Sequence, residues 1–152
     1  MDHHIKIKTE LLKEILPHVA FDGWSENSFR QACSDSGIDL SHAQLVCPRG
    51  AIDLAVFFHT LGDKKMIERI QDYDFLAQRF RDKVATAVRF RLESVEDKEA
   101  VRRAATLFAL PQNAVIGAQL IWTTADAIWT ALGDSSMDVN WYTKRATLSM
   151  VY

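Results

Sequence analysis

The sequence predicts an all-α protein. Apolar residues recur at steps of three and four through most of its length, the period that lines one face of a helix. Glycine, proline and N-capping residues cut that pattern into helix-sized pieces, and no stretch alternates apolar with polar as a half-buried strand would. With 152 residues the chain can bury about two-thirds of its unfolded surface, enough for a real core. Two parts are expected: a helix-turn-helix-like unit over residues 1–47 and a larger helical body over residues 48–152.

Ile7, Leu11, Leu12, Ile15 and Val19 form the first apolar stripe, on a helix expected to end near Pro17. Ser25 reads as the N-cap of a second helix, with Phe29, Ala32 and Cys33 inward and Gly37 as its stop. A brief segment from Ser41 to Val46 follows. Cys47-Pro48-Arg49-Gly50 closes it, because proline lacks a backbone donor and disfavours helix in the residue before it. Ala51 to Leu61 is apolar enough for a fourth helix, and Gly62-Asp63 marks its end or a bend.

From Phe75 to Val95 the series Leu76, Phe80, Val84, Val88, Leu92, Val95 predicts a long amphipathic helix, with Arg79, Arg81, Asp82, Lys83, Arg89 and Arg91 on its other faces. Asp97 to Leu110 is a shorter one with Val101, Ala104, Ala105, Leu107 and Phe108 inward, and Pro111 closes it or opens the next. Gln112 to Leu132 differs from both. No charge occurs between Arg103 and Asp126, and apolar residues cover most of the circumference, which predicts a central helix surrounded on all sides. It does not read as a membrane span, since Thr106, Pro111, Gln112, Asn113, Gln119, Thr123 and Thr124 interrupt the ~20 mostly apolar residues a span needs. Gly133-Asp134-Ser135-Ser136 is a turn. Met137 to Tyr152 begins a last helix without a stop signal, so the sequence reads as cut short.

A net charge of -2 gives no global attraction to nucleic acid or an anionic membrane. Cys33 and Cys47 lie far apart without a CxxC or Cys/His pattern, and read as reduced, partly buried thiols of a cytoplasm. The first eight residues are too polar for a signal sequence and lack the character of a transit peptide. The helix-turn-helix layout suggests a DNA reader, but Asp22, Glu26, Asp35 and Asp39 stand against Arg30 alone, and Ser41 to Val46 carries no cation for phosphate. His3, His4, His18, His42 and His59 show no zinc-ligand spacing. With no HExxH, GxSxG or phosphate-cradling loop, neither an enzyme, a metal nor a cofactor is expected.

Two features bear on binding. Trp122 and Trp129 sit two turns apart on the uncharged helix, whose apolar cover can fill a core or line a cavity. The stretch Asp138-Val139-Asn140-Trp141-Tyr142-Thr143-Lys144-Arg145 concentrates residue types that dominate binding hot spots. Adjacent helical residues point about 100° apart, so Trp141 and Tyr142 do not share one narrow face. A docking patch and an aromatic anchor of the last helix both fit that spacing.

Several segments, in order, closely resemble the Coq-nine family: Pro17-His18-Val19-Ala20-Phe21-Asp22-Gly23-Trp24, Pro48-Arg49-Gly50-Ala51-Ile52-Asp53-Leu54, Leu110-Pro111-Gln112-Asn113, Asp126-Ala127-Ile128-Trp129 and Gly133 to Arg145. The resemblance covers essentially the whole chain, and its last segment is the most diagnostic. It implies a TetR-like fold, a homodimer, and a lipid-binding accessory role beside the di-iron demethoxyubiquinone hydroxylase of ubiquinone biosynthesis. Under it the helix-turn-helix becomes a relic, and Phe80, Val84, Val88, Leu107, Leu110, Ile116, Leu120, Ile121 and Trp129 become walls of a pocket for an isoprenoid or quinone-like lipid. By position, Asp138, Asn140, Trp141, Tyr142 and Arg145 match the surface that docks the hydroxylase. The family's transit peptide and its C-terminal, membrane-contacting helix are missing, which suggests a cytoplasmic bacterial homologue, peripheral to the inner membrane only in the full-length protein. The competing expectation is a TetR-like, ligand-responsive transcription regulator.

Overall fold

The computed structural model describes residues 2–75, 78–133 and 149–150, and among them every regular element is a helix. In chain order these are α1 (His3–Asp22), α2 (Glu26–Ser36), α3 (Leu40–Val46), α4 (Ala51–Asp72), α5 (Phe80–Glu93), α6 (Lys98–Ala109) and α7 (Ala114–Ala131). A 3-10 turn over Pro111–Asn113 leads into α7. The helices gather into two compact units, residues 1–59 with 97–113, and residues 60–96 with α7. α6 therefore groups with the N-terminal helices, and the contact boundary does not follow the 47/48 division drawn from the sequence.

In the first unit Ile7, Leu11, Leu12, Ile15 and Val19 are buried on α1, which packs on α2, α3 and α6. Local signals set the ends of α2. The Ser25 hydroxyl accepts from Ser28 N at 3.2 Å, and Gly37 takes the left-handed conformation (φ 72°) that a residue with a Cβ rarely adopts. α1 does not end at Pro17 as expected; it runs on to Asp22. Pro17 and Lys13 are both exposed, so water can meet the carbonyl that a residue-17 N–H would have reached, and the buried stripe continues through Val19. α6 also faces differently from the expectation. Ala100 and Ala104 are buried while Val101 and Ala105 are exposed, because the small alanines admit close packing and the buried Trp24 indole N–H donates to the Ala100 carbonyl at 3.1 Å.

The second unit is built on Met66 and Ile70 of α4, Ala87 and Phe90 of α5, and Ala125 and Ile128 of α7. Three expectations change here. α4 passes through Gly62 without ending. α5 begins at Phe80, and Phe75 lies before it, ringed edge-on by Tyr73 at 4.7 Å. The inward face of α5 is Thr86, Ala87, Phe90 and Arg91, with Val84 and Val88 half-buried beside it and Leu92 58% exposed. α7 is not surrounded: Gly117, Thr124, Ala125 and Ile128 are buried, whereas Ala114, Val115, Ala118, Gln119, Thr123 and Thr130 are exposed. Absence of charge allowed burial on every side without supplying neighbours to cover it.

Candidate functional site

The second unit holds the chain's most unusual polar arrangement. One Asp63 oxygen accepts from the Arg91 Nε–H at 2.7 Å, and the Thr124 hydroxyl lies 2.8 and 3.0 Å from the two carboxylate oxygens. All three residues are buried. Arg91 reaches this place because α4 carries no side chain at Gly62: a Cβ there would lie 2.5 Å from Arg91 Nη1 and 2.6 Å from Cζ. The glycine in mid-helix is thus a seat for a guanidinium, which explains why α4 does not break there. The sequence places Arg91 off the apolar face of its helix and does not predict this trio. A signal was present, since Asp63 stands three and seven residues before the core positions Met66 and Ile70.

In the same unit the structure brings together part of the expected lipid-contacting set. The Phe80 and Trp129 rings stack at 4.9 Å with an interplanar angle of 24°, Phe80 being 38% exposed. Val84, Val88 and Trp129 pack on the core of the second unit, and Ile116, Leu120 and Ile121 are half-buried along α7. Leu107 and Leu110 belong to the first unit, at the end of α6 and just after it, so they group with a different set of helices. The expected docking residues Asp138, Asn140, Trp141, Tyr142 and Arg145 lie outside the described residues.

Elsewhere the side chains have structural employment. His18 Nε2 meets an Asp35 oxygen at 2.7 Å, joining α1 to α2. Arg49 N and Nε donate to the two oxygens of Asp53 at 2.7 and 2.8 Å, bracing the start of α4. Both cysteines are buried and free, and burial pushes the Cys47 thiol up to about 11 and the Cys33 thiol in the same direction. Glu99 is held below the usual carboxylate range by hydrogen bonds from Arg102 and Arg103. Among the described residues no group of three or more His, Cys, Asp or Glu could hold a metal ion. On α3, Ser41, His42, Gln44 and Leu45 are exposed, a surface without a cation.

Comparison with known proteins follows the same ground. The family model described as COQ9 matches residues 114–152, a segment that begins with α7. A mitochondrial ubiquinone biosynthesis protein COQ9 of Drosophila melanogaster is 30% identical over 158 residues, covering 95% of this chain and 46% of the relative. A probable coq9 protein of Dictyostelium discoideum is 28% identical over 156 residues, covering 97% and 50%. The chain is similar in sequence to the Coq-nine family along nearly its whole length. Its human relative, also named a mitochondrial ubiquinone biosynthesis protein, is 25% identical over 158 residues, covering 97% and 48%. The chain thus spans about half the length of these Coq-nine relatives.

These names overturn the expected bacterial, cytoplasmic location. Each of these relatives is named mitochondrial, which points to a mitochondrial protein. The expectation rested on the polar first residues, and in a chain spanning about half the length of its Coq-nine relatives those residues do not bear on location.

Proposed function

We propose that this chain is the helical, ligand-holding part of a non-catalytic accessory protein of ubiquinone biosynthesis. In this reading it binds an isoprenoid or quinone-like lipid and presents it to the di-iron demethoxyubiquinone hydroxylase, working as a homodimer with a TetR-like plan. Residues 1–47 are then a helix-turn-helix relic and residues 48–152 the lipid-binding and dimerisation body. The observation that carries the reading is α7: it is uncharged up to Asp126, buried on one face, and bears exposed Val115 and Ala118 together with half-buried Ile116, Leu120, Ile121 and Trp122. Such a helix leaves apolar area in water that a lipid tail would cover, at about 25 cal/mol per Å² removed from solvent. The matched family model covers that same helix, and the relatives' names supply the pathway.

The regulator reading needs a cation-bearing recognition helix, and α3 has none. Mass spectrometry of lipids carried through native purification tests the proposal. An isoprenoid co-purifying in near-stoichiometric amount is the expected result. A lipid-free protein that shifts genomic DNA at low salt would reverse the choice.

A further inference from the structure

Two histidines far apart in sequence meet in the first unit. His3 is the first residue of α1 and His42 stands in the first turn of α3, a helix that packs on α1. Their ring centroids are 5.5 Å apart, with 56° between the ring planes, and both residues are exposed. Elsewhere in the unit His18 is taken by Asp35. Among the described residues neither the His3 nor the His42 ring has a hydrogen bond or ion pair. One turn before His42, Asp39 is the N-cap of α3, and its side chain makes no cap hydrogen bond.

Neutral imidazole is the commonest protein ligand for a metal ion. Zinc holds such a nitrogen at about 2.0–2.1 Å, and the ring centre lies roughly 1.1 Å beyond it, so two imidazoles at a tetrahedral angle have centres roughly 5.2 Å apart. The observed 5.5 Å needs little movement of two exposed side chains to reach that spacing. Cys33 and Cys47, in the same unit, are buried and kept protonated by burial, so the ligands on offer are nitrogen and carboxylate oxygen. Imidazole donors favour zinc and copper over magnesium and calcium, which take oxygen. The positive ends of α1 and α3 lie here and weaken the pull on a cation, an effect that the N-cap carboxylates Asp2 and Asp39 offset. With two protein ligands instead of the three or four of a structural zinc site, water completes the coordination and the ion exchanges.

We propose that His3 and His42 form a two-imidazole site for zinc that fastens the start of α3 to the start of α1. The site is independent of the lipid reading, since both residues lie in the first unit and the apolar face of α7 in the second.

The test is a calorimetric titration of the chain with zinc ion alone near neutral pH, with circular dichroism to show that each variant is folded. One ion per chain is expected, with a dissociation constant below about 0.1 mM. His3→Ala and His42→Ala are each expected to weaken binding at least tenfold, whereas His4→Ala and His18→Ala leave it unchanged. Zinc is expected to raise the urea midpoint of the parent and not that of His42→Ala, because an ion bound only by the folded chain stabilises it. A parent that binds no zinc in this range overturns the proposal. So does binding lost in His3→Ala and kept in His42→Ala, or lost equally in His4→Ala, either of which confines the ion to the start of α1 and leaves α3 unfastened.

Discussion

At the scale of single residues, Gly62 has the clearest consequence. Alanine at an ordinary helix-interior glycine stabilises by up to ~1 kcal/mol through helix propensity. Here the added methyl would meet the Arg91 guanidinium at 2.5–2.7 Å, in a place where the arginine is itself tied to Asp63. Gly62→Ala is therefore expected to destabilise by about 1–3 kcal/mol, the usual range for overpacking, read as a lower urea midpoint. Cys47 gives a pH dependence. Its thiol keeps its proton up to about 11 in the folded chain, whereas an unfolded thiol releases it near ~8.5. The contribution of this thiol is then fully present below ~8.5 and is lost as pH rises toward 11, because ionisation favours the unfolded chain. Cys47→Ala is expected to flatten the alkaline fall of the melting temperature, and a slope identical to that of the parent would show that other groups cause it.

At the scale of elements, α5 and α7 carry the prediction. Leu120 is half-buried on α7, and its surroundings are either closely packed or shaped for a ligand. Leu120→Trp is expected to abolish lipid loading while the circular dichroism spectrum and melting temperature stay near those of the parent. In a closely packed site the added volume would cost ~1–3 kcal/mol and leave loading unchanged. The Phe80–Trp129 stack closes one end of the same pair of helices, joining the first residue of α5 to the last turns of α7. Offset ring pairs contribute ~0.5–1.5 kcal/mol beyond area burial, so Phe80→Leu is expected to lower stability modestly and to shift Trp129 emission to the red.

For the whole molecule, the expectation concerns partners. Trp141→Ala or Tyr142→Ala is expected to weaken hydroxylase binding at least tenfold, ~1.4 kcal/mol, with little change in melting temperature for whichever ring faces solvent. A large loss of melting temperature in both variants with affinity unchanged would make the rings anchors of the fold. No single described helix is long and apolar enough to cross a membrane.

Much of the helix inventory was readable from the chain itself, because capping is local chemistry: Ser25, Gly37 and Asp97 stand within a few residues of the groups they serve. Apolar spacing likewise located the buried stripe of α1. Pro17 and Gly62 misled for a shared reason. Each is a helix breaker by propensity, and each is tolerated through its surroundings, solvent beside Pro17 and a guanidinium over Gly62. The division of the expected lipid set between the two units could not come from periodicity, which ranks faces within one helix and carries no information about which helix lies opposite. Sequence by itself determined that this chain would be helical, where most helices start, and which family it resembles. Tertiary structure alone decided that Arg91 turns inward, that Asp63 and Thr124 meet it, and that α7 keeps an open side, since a buried charge is stable only where distant elements bring it a partner.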